Sequence, residues 1–278
     1  MTTAKAFAPG NVSCVFKIVP HDDPAKMHSL GMGFTVSEGV TATVARAAAS
    51  RVTFNGAEFE FPTVHSVIEE LTTSAMEVTL ASELPISGGF GLSGASALAT
   101  AFAINELLGL EHTEAELGLV AHVAEVRNLT GLGDVGGQFH GGCLVKLVRG
   151  DPLGAIPLPV PEQLVYYRYF SAIHTKSIIG NPERRQRIND AADVALAALE
   201  RLKNAGETDF NAYISIARRF SEESGLLADA AVRETIATIE KGGGHASMIM
   251  LGNAVFSSSP FPGASTTRLS RRRVEVLR

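Results

Sequence analysis

The feature of this 278-residue sequence that most restricts its fold is a cluster of four glycines within seven positions, Gly88, Gly89, Gly91 and Gly94. Met76–Leu84 before the cluster has the composition of a strand, and the apolar segment Ser96–Leu108 after it favours a helix ending at Gly109. A strand, a glycine-rich turn and a helix in succession place backbone N–H groups at the positive end of the helix dipole. We therefore interpret the cluster as a phosphate-binding loop rather than as a tight turn between packed elements.

Gly89, Gly91 and Gly94 also satisfy the dinucleotide pattern G-x-G-x-x-G, but the sequence after them does not support that assignment. A Rossmann unit needs a second strand after the helix, ending in an acidic residue that holds the ribose. Here Thr113 and Glu116 form a capping box that predicts a second helix instead, running to about Asn128. The sequence contains neither a Walker A motif nor the set of motifs of protein kinases, which excludes those two classes as well.

Two carboxylates follow the loop. Asp134 lies among the six glycines of residues 131–142, where an open backbone lets a carboxylate sit beside a bound hydroxyl and accept its proton. Glu125 and His122 are three residues apart, so they share one face of the predicted second helix. Simpler readings are a turn cap for Asp134, a solvated glutamate and a core histidine. Because the short link after Asn128 brings Asp134 to the end of that helix, we favour a phosphoryl-transfer site with one carboxylate for Mg²⁺ and the other for the attacking hydroxyl.

Composition narrows the class of protein. A chain of this length with 45% hydrophobic residues is expected to form two packed domains. A net charge of −5 argues against a nucleic-acid partner, and two cysteines, Cys14 and Cys143, indicate neither a disulfide framework nor a zinc site. The uncharged stretch Leu84–Asn105 is interrupted by the glycines and leaves too short an apolar helix to span a membrane. With no leader-like start, we expect a cytoplasmic protein.

The order of predicted elements gives an α+β class in two halves. Strands are expected at Val12–Val19, Gly39–Ala45 and Gly141–Val148, and a short helix at Val64–Leu71. Four prolines between residues 151 and 161 predict the domain connection, so residues 1–150 form a nucleotide-binding domain and 151–278 a second domain. The second half is predicted to contain a strand at Leu164–Ile173, helices at Glu183–Asn204, Phe210–Glu222 and Asp229–Lys241, and a hairpin of Ala246–Leu251 and Ala254–Ser258 around the two-residue turn Gly252-Asn253.

Several segments together resemble one family. They are Phe7-Ala-Pro-Gly, the loop Gly88–Ala97, the glycine-rich segment Gly242–Gly252, and Ala121–Gly142 with its Thr-Gly-Leu-Gly-Asp-Val and Gln-Phe-His-Gly-Gly runs. The sequence is similar to GHMP kinases, and more narrowly to the archaeal pantoate kinases. This resemblance implies a ribosomal-protein-like N-terminal α+β domain, a ferredoxin-like C-terminal domain, ATP with Mg²⁺, and phosphorylation of the terminal hydroxyl of pantoate on the route to coenzyme A. Whether the chain forms a homodimer stays open.

The resemblance also implies site residues. Asp134 matches the catalytic aspartate, Glu125 the metal-binding glutamate, and Ser93 the serine that assists with phosphate or metal. The positions that match substrate contacts are Ser29, His122, Lys146 and Thr175. The residues expected to bind ATP are Gly88, Gly89, Gly91, Leu92, Ser93, Gly94, Ala95 and Ser96.

The sequence departs from the family in three places. Many GHMP kinases carry a lysine where this chain has Asn11, the loop hydroxyls are shifted in Ser93-Gly94-Ala95-Ser96, and Lys146 stands where arginine is expected. Three alternatives therefore stay open. They are a GHMP kinase for mevalonate, homoserine or shikimate, a non-catalytic nucleotide-binding protein of this fold, and a dinucleotide-dependent oxidoreductase.

Overall fold

The structure, a computed structural model, describes residues 2–172 and 181–278. Over these residues the chain forms twelve strands and seven helices. The strands are β1 Thr3–Val19, β2 His28–Arg46, β3 Arg51–Phe54, β4 Ala57–Glu58, β5 Met76–Ala81, β6 Cys143–Lys146, β7 Ile156–Pro157, β8 Gln163–Ser171, β9 Ala246–Met248, β10 Asn253–Ser257, β11 Ser265–Leu269 and β12 Glu275–Leu277. The helices are α1 Pro62–Leu71, α2 Leu92–Leu108, α3 Glu114–Asn128, α4 Asp134–His140, α5 Pro182–Ala205, α6 Phe210–Glu223 and α7 Ala230–Lys241.

The long strand β2 organises the sheet. It pairs antiparallel with β1, β5 and β6, and at Val36 it meets Leu269 of β11. β11 continues through β8 and β10 to β9, so strands from both halves of the sequence are joined in one sheet. β12 returns to pair with β1. The α+β class is confirmed, whereas the division at residues 150 and 151 stays a prediction.

Aromatic side chains pack the two halves together. Phe34 of β2 lies with its ring centroid 5.2 Å from Phe210 of α6 and 5.4 Å from Phe256 of β10. All three side chains are buried. Burial of this size is worth about 1.5–3 kcal/mol for each phenylalanine, so these contacts are a substantial part of what joins β2 to the C-terminal elements.

Helix α2 runs through the core and is buried on nearly every side. It begins at Leu92, four residues before the predicted start at Ser96, because Gly91 adopts the left-handed conformation with φ of 60° and begins the helix inside the glycine cluster. The C-cap predicted at Gly109 is confirmed, with φ of 62°. α3 follows directly with its Thr113 capping box, as predicted. None of the helices in the described ranges is both long and apolar enough to cross a membrane.

Other boundaries correct the sequence analysis. The strand predicted at Gly141–Val148 is shorter, since β6 covers only Cys143–Lys146. β9 and β10 are joined by four residues, 249–252, rather than by the predicted two-residue turn. Helix α4 was not predicted, because its glycines suggested a loop. One of those glycines permits close packing, since a Cβ on Gly137 would lie 2.3 Å from Asn11 Oδ1.

The close contact between the glycine loop and the 249–252 connection gives a test of the fold. Gly89 has φ of 86°, and a Cβ there would lie 2.6 Å from a methyl group of Ile249. Gly56 has a similar φ of 82°, but no atom of the described residues lies within 4 Å of its Cβ position. Gly56→Ala should therefore lower the free energy of unfolding by about 1–2 kcal/mol through backbone strain alone. Gly89→Ala should cost a further 1–3 kcal/mol, roughly, from overpacking.

Chemical denaturation of the two variants beside the wild type measures this difference. Equal losses for Gly89→Ala and Gly56→Ala would contradict the close packing of the loop against the 249–252 connection.

Candidate active site

Residues from the N-terminal and the C-terminal parts of the sequence contact the glycine loop. Asn11 N–H donates to the carbonyl of Phe90 at 2.9 Å, and a Cβ on Gly252 would lie 2.4 Å from the carbonyl oxygen of Gly88. Positive φ angles at Ser87, Gly89 and Gly91 shape the turn. Asn11, which directly follows the Phe7-Ala-Pro-Gly segment, and Gly252, which ends the Gly242–Gly252 segment, thus meet at the loop and fix it in place.

The N-terminus of α2 offers an anion-binding site. The first N–H groups of a helix have no intrahelical partner, and in α2 the Ala95 N–H is the first to bond back, to the carbonyl of Gly91 at 3.0 Å. No side chain of the described residues caps this end, and its first turn contains no acidic residue. The amides of Leu92, Ser93 and Gly94 are therefore available to an anion, which the helix dipole also favours.

A cavity of about 360 Å³ opens beside this helix end. One wall is apolar and includes Phe59 and Phe61, whose ring centroids are 5.2 Å apart. The opposite end is polar and includes Ser93, Glu125 and Asp134. The cavity thus combines an apolar surface suited to a flat ring, a helix N-terminus suited to phosphates, and an acidic end. We call it the nucleotide cavity.

Glu125 is a buried carboxylate with two hydroxyl donors. Its Oε1 accepts hydrogen bonds from Ser93 Oγ and Thr130 Oγ1, both at 2.6 Å, and Ser93 Oγ lies 3.2 Å from Thr63 Oγ1. Burial, with a smaller contribution from the nearby Asp134, raises the pKa of Glu125 to about 7 against the opposing effect of these hydrogen bonds. A carboxylate and a hydroxyl are hard oxygen donors, which is the ligand type that Mg²⁺ prefers, so the pair fits a magnesium ion that also contacts phosphate.

Asp134 is the first residue of α4. Its Oδ1 accepts from Asn11 Nδ2 at 2.8 Å and from Ser13 Oγ at 3.0 Å. Burial raises the pKa of Asp134, and these two hydrogen bonds oppose the rise. The Asp134 carboxylate thus accepts hydrogen bonds from two neutral groups and is more basic than an exposed aspartate.

Gly131 brings the two acidic side chains together. A Cβ at this position would lie 2.2 Å from Glu125 Oε2 and 3.4 Å from Asp134 Oδ2. The sum of those distances, 5.6 Å, is the largest separation that the two oxygens can have. Any side chain at residue 131 would collide with Glu125, which explains why the link between α3 and α4 is rich in glycine.

A second, smaller cavity of about 60 Å³ is lined in part by Asn11 and Ser13. We call it the acceptor cavity; Ser29 and Lys146 contribute to its lining. Lys146 Nζ donates to the carbonyl of Asp151, and partial burial lowers the pKa of Lys146 to about 8. Ser13 lines both cavities. Asp134, which accepts from Ser13 Oγ, lines the nucleotide cavity, and the adjacent Gly133 lines the acceptor cavity, so Asp134 lies where the two cavities adjoin.

The other two residues matched to substrate contacts lie elsewhere. His122 is buried, lines neither cavity, and its Nε2 lies 2.8 Å from the carbonyl of Met27. A carbonyl only accepts, so Nε2 carries the proton, and burial lowers the pKa of His122 to about 4. His122 is therefore a neutral donor that holds the chain two residues before Ser29. Thr175 lies outside the described residues.

The sequence analysis did not identify several polar groups at this site. Asn11 was noted only as a departure from the family, and Ser13, Thr63 and Thr130 were not singled out. Gln138 was also missed, although its Nε2 donates to the carbonyl of Gly91 at 2.7 Å and so ties α4 to the loop. Two signals were available. Asn11 and Ser13 lie within three residues of the Phe7-Ala-Pro-Gly segment, and Thr130 and Gln138 begin the Thr-Gly-Leu-Gly-Asp-Val and Gln-Phe-His-Gly-Gly runs that carry the family resemblance.

Comparisons with known proteins agree with this geometry. The family model for the GHMP kinases N terminal domain matches residues 61–142. The chain is 30% identical over 271 residues to a pantoate kinase of Methanospirillum hungatei, covering 92% of this chain and 88% of that protein. It is also 30% identical over 258 residues to a pantoate kinase of Methanocaldococcus jannaschii, covering 91% and 92%.

Solved structures have the same fold. A phosphotransferase related to the CoA biosynthesis pathway superposes with a TM-score of 0.85 at 25% identity, covering 100% of this chain and 99% of that one. Mevalonate-3-kinase from Thermoplasma acidophilum superposes with a TM-score of 0.70 at 14% identity, covering 99% and 98%, which shows the fold alone.

The state of His122 can be tested directly. Burial lowers the pKa of this imidazole to about 4, so the ring should stay neutral as the pH falls through the range where exposed histidines become protonated, about 6.5. Side-chain NMR of the folded protein, with His122→Gln to assign the signal, measures the titration. Protonation of His122 near pH 6.5 would contradict the buried donor described above and would make this ring available as a cation.

Proposed function

The chain belongs to the pantoate kinase family of the GHMP kinases, and from this premise we propose that it transfers the γ-phosphate of ATP to the terminal hydroxyl of pantoate, forming 4-phosphopantoate and ADP. The observation that carries the proposal is 30% identity to pantoate kinases over about nine-tenths of this chain. The glycine loop and the acidic pair beside it supply the chemistry that such a transfer requires. The reaction places the protein in coenzyme A synthesis.

In this proposal the nucleotide cavity holds ATP. The amides of Leu92, Ser93 and Gly94 donate to phosphate oxygens, and the aromatic wall of Phe59 and Phe61 contacts the base. Glu125 and Ser93 hold Mg²⁺, with Thr130 orienting the carboxylate. When bound, Mg²⁺ would neutralise charge on the phosphates as the γ-phosphoryl group departs.

Asp134 accepts the proton in the transfer step. The pantoate hydroxyl oxygen forms a bond to the γ-phosphorus, the bond from that phosphorus to the β-phosphate oxygen breaks, and ADP leaves. The hydroxyl proton passes to the Asp134 carboxylate. Because burial raises the pKa of Asp134, this carboxylate is a stronger base than one in water, and its position at the boundary between the cavities suits the task.

The acceptor cavity is the proposed pantoate site. Lys146 supplies a cation for the pantoate carboxylate, and Ser29 supplies a hydroxyl for hydrogen bonding. His122 acts through the Met27 carbonyl, which fixes the start of β2 and so the position of Ser29. Thr175 is proposed as a further substrate contact on the family resemblance alone.

ADP release from Mg·ATP tests this function. Pantoate should support turnover, whereas mevalonate, homoserine and shikimate should not, because the relatives that this chain matches at 30% identity are pantoate kinases. Asp134→Asn should lower kcat at least about 100-fold, since it removes the proton acceptor, while ATP binding measured by calorimetry stays close to that of the wild type. Turnover of another alcohol alone would overturn the pantoate assignment, and an active Asp134→Asn variant would remove Asp134 from the chemistry.

Lys146→Ala tests the carboxylate anchor. A hydrogen bond to a charged group is worth about 1.5–3 kcal/mol, so the KM for pantoate should rise about 10- to 100-fold with little change in the KM for ATP. Lys26→Ala is the matched control, because Lys26 is an exposed lysine near the start of β2 that lines neither cavity. Equal increases in both KM values for Lys146→Ala would rule out a specific role in holding the substrate carboxylate.

A further inference from the structure

The segment of β1 that carries Asn11 and Ser13 departs from regular pairing on both sides. The ladder between β1 and β2 shifts register between Pro9 and Asn11, and again between Ser13 and Val15. Irregularities of this kind re-aim side chains and free backbone groups from the sheet. Here Asn11 N–H bonds to the carbonyl of Phe90, and the carbonyl of Ser13 accepts from Met250 N–H at 3.2 Å.

These backbone contacts fix the segment against two other parts of the site. The Phe90 carbonyl belongs to the glycine loop, and Met250 belongs to the connection between β9 and β10. Between Asn11 and Ser13, Val12 is buried on the opposite face of the strand. The side chains of Asn11 and Ser13 are therefore held on the face toward Asp134 by backbone that has little freedom to move.

Both side chains donate to the same oxygen. Asn11 Nδ2 lies 2.8 Å and Ser13 Oγ 3.0 Å from Asp134 Oδ1, and Asn11 Nδ2 also lies 3.4 Å from Ser13 Oγ. A Cβ on Gly137 would lie 2.3 Å from Asn11 Oδ1, so α4 closes tightly over the asparagine. None of the residues that the structure describes donates a hydrogen bond to the other oxygen, Oδ2.

The two donors are neutral, so they can orient the Asp134 carboxylate without bringing a positive charge next to it. No lysine or arginine within the described ranges forms an ion pair with Asp134. A salt-bridged cation would hold the carboxylate but would also weaken it as a base. An amide and a hydroxyl hold it with a smaller loss of basicity.

We propose that Asn11 and Ser13 form a clamp that fixes Oδ1 of Asp134 and thereby presents Oδ2 to the acceptor hydroxyl. The terminal torsion of an aspartate is broad and roughly two-fold, so an unclamped carboxylate would sample many orientations. Small errors in the position of a reacting group lower the rate strongly. Asn11 and Ser13 are positioning residues in this account, which deepens the proposed function and rests on it.

Steady-state kinetics of Asn11→Ala and Ser13→Ala with pantoate and Mg·ATP test the clamp. Each variant should lower kcat about 10- to 100-fold, the loss expected for one hydrogen bond to a charged group, while both KM values change less than about threefold. Asn11→Asp keeps the size of the side chain but replaces the donor with a carboxylate facing Asp134. It should lower kcat at least as much as Asn11→Ala.

Asn189→Ala is the matched control. Asn189 of α5 accepts from Ile18 N–H at 2.8 Å and donates to the Ile18 carbonyl at 3.1 Å. Like Asn11, it is an asparagine whose side chain joins β1 to another element by hydrogen bonds, but it lines neither cavity. Asn189→Ala should lower the melting temperature without lowering kcat. A merely structural role for Asn11 and Ser13 would make their variants behave like this control, and that result would overturn the clamp.

A crystal structure of Asn11→Ala/Ser13→Ala gives a readout that does not need the substrate. The Asp134 carboxylate should adopt more than one orientation in the variant and a single one in the wild type. An unchanged, single orientation would overturn the clamp. If the wild-type protein does not turn over pantoate, the proposed function fails, and this structural comparison alone decides whether Asn11 and Ser13 orient Asp134.

Discussion

The close approach of backbone segments at glycine is the constraint on which this structure depends. The glycine loop and the 249–252 connection meet where Gly89 and Gly252 leave no room for a Cβ, and the middle of β1 bonds to both through Asn11 and Ser13. Because β1 and the 249–252 connection come from distant parts of the sequence, the contacts that fix the loop are made only in the assembled fold. The anion-binding end of α2 is thus a product of the whole fold rather than of a local motif.

The second constraint is electrostatic. Glu125 and Asp134 have oxygens within 5.6 Å of each other, and burial raises the pKa of both. Two carboxylates at this separation repel, and the donors that the structure provides are neutral hydroxyls and an amide. A phosphoryl-transfer site uses such a pair, because a divalent cation needs a negatively charged ligand and the attacking hydroxyl needs a base. The mutual repulsion of Glu125 and Asp134 therefore supports the proposed use of the site.

The sequence alone predicted the elements that obey local rules. The capping box at Thr113, the C-cap at Gly109 and the amphipathic α5 were predicted because their signals lie within a few residues. The start of α2 and the existence of α4 were not. In both places glycine is required by a contact made with a distant segment, so its local preference for loops was misleading. The same cause hid Asn11 and Ser13, whose partner Asp134 lies more than a hundred residues away in the sequence.

The close packing at the glycine loop and the buried carboxylate pair both lie on the path that the transferred phosphoryl group takes between the two cavities. A phosphoryl group must pass from the nucleotide cavity to the acceptor cavity, and the Asn11–Ser13 segment of β1 contributes to both, since Ser13 lines both cavities and Asn11 lines the acceptor cavity. That segment is fixed to the glycine loop on one side and to the 249–252 connection on the other. The elements that hold the phosphates and those that orient the base are therefore one connected unit.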